Sequence, residues 1–296
     1  MKFILPEIRG KYRFDVNLSN LCWFGVGGKA SVVFIPADID DLMHFLSHAH
    51  DIPIFVFGVG SNILIRDGGF DGVIIRLGAS MSFMKQLTST TIEVGASALD
   101  VNVSNFAMEN SIGGLEFLCG IPGTIGGGLR MNAGAYGREF SDIVMSVQAV
   151  DLHGNSTTLT AEQMGFKYRG NSLKESMIFL SAVLFGSEDN VQNIMQKMNT
   201  IKNQRNATQP VKGVKTGGST FKNPLDFKAW QLIDAAECRG LRIGGAQISE
   251  LHCNFLINTG NATANDIEEL IFTVKERVFK NSGIMLEEEL VIIGNK

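Results

Sequence analysis

Ser219, Lys222 and Asn223 stand within five positions of one another in Lys215-Thr-Gly-Gly-Ser-Thr-Phe-Lys-Asn-Pro224, so a hydroxyl, a cation and an amide are available to one ligand. A serine nucleophile would need its base and an exposed elbow, and no G-x-S-x-G is present. The hydroxyl can instead give up a proton where a neighbour stabilises the alkoxide, although its high intrinsic pKa makes serine an unusual acid. A phosphate-binding or structural turn accounts for the motif equally well. At Leu286-Glu-Glu-Glu-Leu290 three carboxylates precede an apolar run, and a solvated charge cluster is the default reading. Strand alternation would turn Glu287 and Glu289 to one face and Glu288 to the other. Composition does not choose among them.

Glycine carries the other signal. The chain has 33 in 296 residues, where average use would give about 21, and the excess is clustered. Gly58-Val-Gly-Ser-Asn-Ile63 follows the apolar run 54–57 and begins like a G-x-G-x-x-G fingerprint. Ile63 takes the place of the last glycine and Leu64 and Ile65 read as strand, so a Rossmann site is disfavoured. Gly28-Lys29 is followed by Ala30 and is no Walker loop. What remains is a loop whose N–H groups, with Ser61 and Asn62, can form a nest for a phosphate, or a plain turn. Gly120-Ile-Pro-Gly-Thr-Ile-Gly-Gly-Gly128, followed by Asn132-Ala-Gly-Ala-Tyr-Gly137, is richer. Pro122 stiffens a loop whose glycines let backbone approach a flat or extended ligand, with Thr124 and Asn132 placed for hydrogen bonds. A glycine packing seam is the structural alternative.

The elements that must position these motifs follow from periodicity. Strands are expected at 31–35, 54–57 and 73–76 around a helix over 39–50, with Asp38 as N-cap and Leu42, Phe45, Leu46 and Ala49 on one face, which makes a β-α-β unit. A strand at 91–94 and a helix at 99–109 lead into the glycine-rich stretch. Strands at 143–151 and 177–185 follow, with a hairpin turn at 151–155. A helical pattern over 189–204 runs into the polar stretch 203–218, the linker candidate. Beyond it come a helix at 229–236, a strand at 254–258, a helix at 265–281 and a closing strand at 290–293.

Composition limits the rest. A net charge of −4 without a block of like charge argues against wrapping nucleic acid. The apolar stretch Phe3 to Leu5 ends at Pro6 and Glu7, too short for a signal-peptide core, and the apolar region 52–65 is interrupted by glycines, Ser61 and Asn62. A soluble cytoplasmic protein without membrane association is expected. Cys22, Cys119, Cys238 and Cys253 are scattered, with no ligand spacing, so they are read as buried free thiols and no metal site is proposed.

Taken in order, the blocks resemble one family, the UDP-N-acetylenolpyruvoylglucosamine reductases. The matching stretches are Trp23-Phe-Gly-Val-Gly-Gly28, 58–75, 114–127, 131–140, Tyr168-Arg169, 217–224, 232–258 and 283–294. They cover nearly the whole chain. The resemblance implies an α+β fold, with a two-part FAD-binding region of vanillyl-alcohol-oxidase type at 1–78 and 79–200, and an α/β substrate-binding domain at 201–296. Non-covalent FAD would be held at its pyrophosphate by Gly58, Val59, Gly60, Ser61 and Asn62. Nearer its ring system lie Gly120, Ile121, Pro122, Gly123, Thr124, Gly126, Gly127, Asn132, Ala133 and Gly134, with Arg169.

The activity so implied is reduction of the enolpyruvyl ether of UDP-N-acetylglucosamine to the lactyl ether of UDP-N-acetylmuramate, with NADPH as hydride donor, by a monomer. NADPH and the sugar nucleotide use one cleft in turn, which explains the missing Rossmann motif. Arg169 and Glu289 map onto the groups that stabilise the enediolate-like carboxylate, and Ser219 onto the proton donor. Lys222, Asn223, Arg242 and His252 map onto substrate contacts. Counting back from Ile292-Ile-Gly294 selects Glu289 over Glu287. Val291 and Gly25 stand where the family often has arginine, and Gly170-Asn171 adds a residue after Arg169. Only 50 positions separate Arg169 from Ser219, as in the subtype without the tyrosine-bearing lid loop. The nearest alternative is an FAD-dependent alcohol or sugar-lactone oxidase of the same fold.

Overall fold

The computed structural model describes residues 4–173, 176–210 and 213–296, so Phe3 of the N-terminal apolar stretch and residues 211–212 of the expected linker lie outside the described residues. The chain forms two compact units, each assembled from separated stretches. Unit 1 takes the chain up to Arg13, Val33–Gly58 and Val73–Gln204; unit 2 takes Phe14–Val32, Val59–Gly72 and Arg205–Lys296.

In unit 1 the spacing of Leu42, Phe45 and Leu46 produces helix α1 (Ile39–His48), and all three side chains are fully buried. Asp38 caps it, its carboxylate accepting the Asp41 N–H at 2.9 Å. The two strands that α1 joins are not neighbours: Ile54–Val56 pairs in parallel with 73–75, and 33–35 lies on the other side of that strand. The Phe34 and Phe45 rings stack at 4.5 Å, with Tyr12 at 5.5 Å from Phe34. Burial, aided by the Asp41 charge, pushes the Tyr12 hydroxyl up to about 12.

Asp41 ties this corner together. Its carboxylate accepts the N–H groups of Arg9 (2.7 Å), Gly10 (2.9 Å) and Ala37 (2.9 Å). The residue is 2% exposed, and removing its side chain leaves three part-buried donors without their acceptor. Asp41→Ala is expected to lower stability by about 3 kcal/mol, read as a fall in the urea midpoint at constant slope. Asp41→Asn, which keeps one acceptor oxygen, should lose about half of that.

The rest of unit 1 is a five-stranded antiparallel sheet in the order Ser156–Thr160, Val144–Asp151, Met177–Phe185, Thr91–Gly95, Met84–Gln86. The expected hairpin turn is present: Asp151 Oδ1 accepts the His153 and Asn155 N–H groups at 2.8 and 2.9 Å, and Gly154 has a φ of 87°. Helices α2 (Asp100–Glu109) and α3 (Ile125–Met131) contribute Val103, Ala107, Ile125 and Leu129 to the core of this region. Helix α3 was not foreseen, because three consecutive glycines, Gly126 to Gly128, mask its period. It forms because Thr124 caps it and its neighbours leave room for glycine alone: a Cβ on Gly128 would overlap the Phe140 ring.

Helix α4 (Val191–Thr208) continues into the stretch read as linker. Its apolar positions end at Ile201, but Gln204, Arg205 and Ala207 favour helix until Pro210 stops it.

Unit 2 holds a four-stranded antiparallel sheet in the order Lys215–Ser219, Phe255–Asn258, Ala246–Ile248, Arg242–Ile243. Helix α5 is Ala229–Ala235, and helix α6 (Ala264–Ser282) buries Ile267, Leu270, Ile271, Val274 and Val278. Thr263 and Asp266 form a capping box at the start of α6, and the backbone N–H of Thr263 holds the Asp266 carboxyl below its usual range. Strand Val291–Ile293 pairs in parallel with Ile63–Ile65. All four cysteines are free and buried, as expected from their spacing.

Candidate functional site

In unit 1 the loop Gly120–Thr124 is fixed at both ends. Gly123 N–H donates to Ile121 O at 3.1 Å around Pro122, and Thr124 Oγ1 accepts from Gly127 N–H at 3.4 Å. Gly126 N–H donates to Ala96 O (2.8 Å) and Ile125 N–H to Ala98 O (3.0 Å), which lays the start of α3 along residues 96–98. Gly58 faces the same threonine: a Cβ there would stand 3.0 Å from Thr124 Oγ1. These approaches need glycine for want of space, as a backbone-lined ligand seat does.

Asn132 has a different job from the one its position suggests. It is fully buried with a φ of 41°; its Nδ2 donates to Glu139 Oε1 (2.9 Å) and Lys167 O (3.1 Å), while Oδ1 accepts Ser141 N–H (2.9 Å). The side chain is occupied by protein groups, so it positions Ala133 and Gly134 rather than reaching a ligand itself. Arg169, with a φ of 54°, donates from Nη2 to Gly134 O at 3.2 Å and lies 5.0 Å from the centre of the Tyr168 ring.

Beneath the loop lies a residue that the motifs did not single out. Asp100 opens α2, is 0% exposed, and neither carboxyl oxygen has a hydrogen-bond partner among the described residues. Its N–H donates to Gly123 O at 3.1 Å, and a Cβ on Gly123 would stand 2.6 Å from Asp100 Oδ2. In sequence it looks like an ordinary acid in a helix's first turn. Only burial distinguishes it.

In unit 2 the loop Val59–Asn62 carries four consecutive N–H groups that donate to no acceptor among the described residues. Gly60 has a φ of 70°, and its carbonyl is held by Trp23 N–H at 3.0 Å. Consecutive free amides around a left-handed glycine form an anion nest, so these residues fit a pyrophosphate. Asn62 is partly committed elsewhere: its Nδ2 donates to Glu289 O (3.1 Å) and its carbonyl accepts Val291 N–H (3.1 Å).

Ser219 sits at the end of a strand that shifts register between Thr216 and Ser219. Gly218 has a φ of 78° and open space around its Cβ position, so backbone conformation alone requires glycine there. The irregularity re-aims the residue that follows it. Asn254 fixes the next step, accepting Phe221 N–H at 2.9 Å and donating to Phe221 O at 2.8 Å. Thr220 O then accepts Glu289 N–H (2.8 Å), and Lys222 N–H donates to Glu287 O (2.9 Å). The segments 219–222 and 287–289 therefore run side by side, with Phe221 opposite Glu288.

The three glutamates separate by partner rather than by simple alternation. Glu287 is exposed and pairs with Lys222 at 3.4 Å; Glu288 pairs with Lys275 at 2.8 Å. Glu289 is half-buried, its backbone held between Thr220 and Asn62.

The remaining expected residues are placed unequally. Asn223 Oδ1 accepts Ala229 N–H at 3.0 Å, just before α5. His252 packs edge-on to Phe255, the register partner of Ser219, at 4.8 Å and to Trp230 at 6.5 Å. Its Nδ1 accepts Asn254 N–H (3.2 Å), leaving the proton on Nε2; burial, with a lesser contribution from Arg239, lowers its pKa against a backbone bond that raises it. Arg242 is not gathered with Ser219. It lies on the opposite edge strand, three strand spacings or about 14 Å away, bonded to Thr259 Oγ1 at 3.0 Å. Asn254 and Asn258, whose Nδ2 donates to Phe24 O at 2.8 Å, are positioning residues that the strand reading had treated as bounds.

Comparison with known proteins is consistent across its kinds. The C-terminal-domain model of UDP-N-acetylenolpyruvoylglucosamine reductase matches residues 209–293, and a FAD binding domain model matches 30–160. The chain is 53% identical over 292 residues to the UDP-N-acetylenolpyruvoylglucosamine reductase of Rickettsia prowazekii, covering 98% of each, and 51% identical, at the same coverage, to that of Rickettsia massiliae. The crystal structure of the Thermus caldophilus reductase superposes with a TM-score of 0.82 at 31% identity, over 97% of this chain and all of the other. The 6-hydroxy-D-nicotine oxidase of Arthrobacter nicotinovorans matches with a TM-score of 0.56 at 10% identity, over 95% of this chain and 88% of that one.

Proposed function

The chain belongs to the UDP-N-acetylenolpyruvoylglucosamine reductase family, and from that premise we propose that it reduces UDP-N-acetylglucosamine enolpyruvate to UDP-N-acetylmuramate in peptidoglycan precursor synthesis. It is an FAD-dependent oxidoreductase that uses NADPH. Bound FAD supplies hydride transfer from NADPH to the terminal methylene carbon of the enolpyruvyl group. The protein's part is to bind, orient and move one proton.

Gly58 and the free amides of Val59–Asn62 would hold the pyrophosphate of FAD, and Gly120–Thr124, Gly126 and Gly127 would serve its ring system with their backbone. Ala133 and Gly134, held by Asn132, complete that seat with Arg169. Ser219 donates its proton to the carbon next to the substrate carboxylate. Arg169 and Glu289 stabilise the enediolate-like charge that precedes this transfer. Lys222 supports the Ser219 proton, and Asn223, His252 and Arg242 contact substrate, with His252 offering Nε2–H and Arg242 a planar fork for the diphosphate. Arg242, remote from Ser219, suits the nucleotide end. The observation that supports the reading is the paired backbone of 219–222 and 287–289, which lays the segment that carries Ser219 along the one that carries Glu289.

The division 1–78, 79–200 and 201–296 is proposed as functional, the first two parts holding FAD and the third the sugar nucleotide. The enzyme is taken as a cytoplasmic monomer without nucleic-acid or membrane partners; no described helix is long and apolar enough to cross a membrane. An oxygen-free absorbance experiment tests the activity. NADPH should bleach the flavin band and the enolpyruvyl sugar nucleotide should restore it. A band that recovers only when oxygen is admitted would favour the oxidase.

A further inference from the structure

We propose that Asp100 is a carboxylic acid held uncharged against Gly123, whose packing there positions the Gly120–Thr124 loop for FAD: a positioning residue, not a catalytic one. The inference rests on the reading of that loop as a flavin seat. Three observations meet at this side chain. Neither oxygen has a partner among the described residues, and the residue is 0% exposed. The side chain lies against Gly123, where a Cβ would stand 2.6 Å from Asp100 Oδ2. The backbone of Asp100 and that of Leu99 both bond the loop, through Gly123 O and the Leu99–Thr124 bridge, so movement of the loop is movement of α2's first turn.

No charge opposes ionisation or compensates for it. Of the elements packed on α2, the short strand Ile112–Gly113 has no titratable group, and the turn Glu116–Gly120 has Glu116 and Cys119. Glu116 accepts Gly114 N–H at 2.8 Å and pairs with Lys197 at 3.3 Å, and the Cys119 thiol faces Met198 O. The loop itself carries no ionisable side chain, α3 has Arg130 only in its last turn, and α2's other acid, Glu109, is at its far end. Burial alone accordingly drives the carboxyl well above the usual carboxylate range. A carboxylate in its place would set negative charge directly under a loop that must seat a dinucleotide carrying its own phosphates.

The sign follows from linkage. A carboxyl whose folded pKa is raised binds more protons in the folded state, so the stability it confers falls as pH rises from near the unfolded value of about 4 to the folded one. Where the carboxyl is ionised in the flavin-free protein and protonated in the flavin-bound one, one linked proton raises the FAD dissociation constant by about tenfold per pH unit. The test follows flavin release by fluorescence, with thermal unfolding, on the full holoprotein between pH 6 and 9, for wild type, Asp100→Asn and Asp100→Leu. Wild type should lose flavin and stability with rising pH. Asp100→Asn, neutral at every pH and close to the same shape, should remove this share of the pH dependence from both and overtake wild type at high pH, and Asp100→Leu, of different shape against Gly123, should bind FAD weakly throughout. Parallel profiles for wild type and Asp100→Asn would overturn the proposal. Wild type also gives an independent reading: infrared spectra at neutral pH should contain a protonated-carboxyl band that Asp100→Asn lacks, and its absence from wild type overturns the proposal even if a variant misfolds. A chain that binds no flavin defeats the functional reading, while the unfolding profiles and the infrared band still report on the carboxyl.

Discussion

Replacing Ser219 by alanine is expected to leave reduction of the bound flavin by NADPH near the wild-type rate and to slow reoxidation by the enolpyruvyl substrate by about 10³-fold. The two half-reactions divide because only the second needs a proton on carbon. The substitution leaves the backbone intact: Thr220 still accepts Glu289 N–H at 2.8 Å, and Asn254 still brackets Phe221. Glu289→Gln is the companion, since the bonds of Glu289 to Thr220 and Asn62 are made by its backbone and survive the change. It should slow the same half-reaction by about 10²-fold, with reduction by NADPH again unchanged. Stopped-flow absorbance in the absence of oxygen separates the steps. Wild-type reoxidation in both variants would remove the proposed proton donor and its partner together.

A larger structural effect is expected at Gly128. Its Cβ position overlaps the ring of Phe140, which is fully buried, so Gly128→Ala must displace either α3 or that ring. Overpacking of this kind costs about 3 kcal/mol, more than the gain in helix propensity from glycine to alanine returns. Thermal unfolding should show the loss, and flavin retention should fall with it, because α3 carries Gly126 and Gly127. Phe140→Leu alone opens a cavity, yet combined with Gly128→Ala it should recover part of the loss. Strictly additive costs would mean that the two residues do not collide.

The glycine motifs and the helical periods were legible for a physical reason: each is a local rule. Asp38 and the Leu42, Phe45, Leu46 stripe specify α1 within about three turns, and the turn at Asp151 and Gly154 declares itself by its own side-chain bonds. What stayed hidden depends on partners distant in sequence. Helix α3 is readable only once Phe140 and Ala96 are known to crowd Gly128 and Gly126. Among three adjacent glutamates, the distinction rests on Lys222, Lys275 and the backbone of Thr220, none of which is local. The protein partners of the Asn132 and Asn223 side chains, Glu139 and the Ala229 N–H among them, likewise give no sign in the sequence. Asp100 gives no signal at all, since burial is a property of the folded chain. The resemblance selected Glu289 and Arg242 alike, while the backbone bond of Glu289 to Thr220 and the place of Arg242 on the far edge strand show themselves only in the fold.

The parallel pairing of Val291–Ile293 with Ile63–Ile65 bears on how the polypeptide matures on the ribosome. Asn62 and Glu289 are 227 positions apart, so the contact that steadies the acid residue closes one of the longest loops available to the chain. At about 5–20 residues per second, Ile63–Ile65 waits on the order of ten seconds or more after its own synthesis for its partner strand. Through that interval an apolar three-residue edge, whose Leu64 and Ile65 end fully buried, has no mate. Nascent chains interrupted before residue 291 would carry the nest intact but an unclosed edge, which makes them substrates for chaperones rather than slow enzymes.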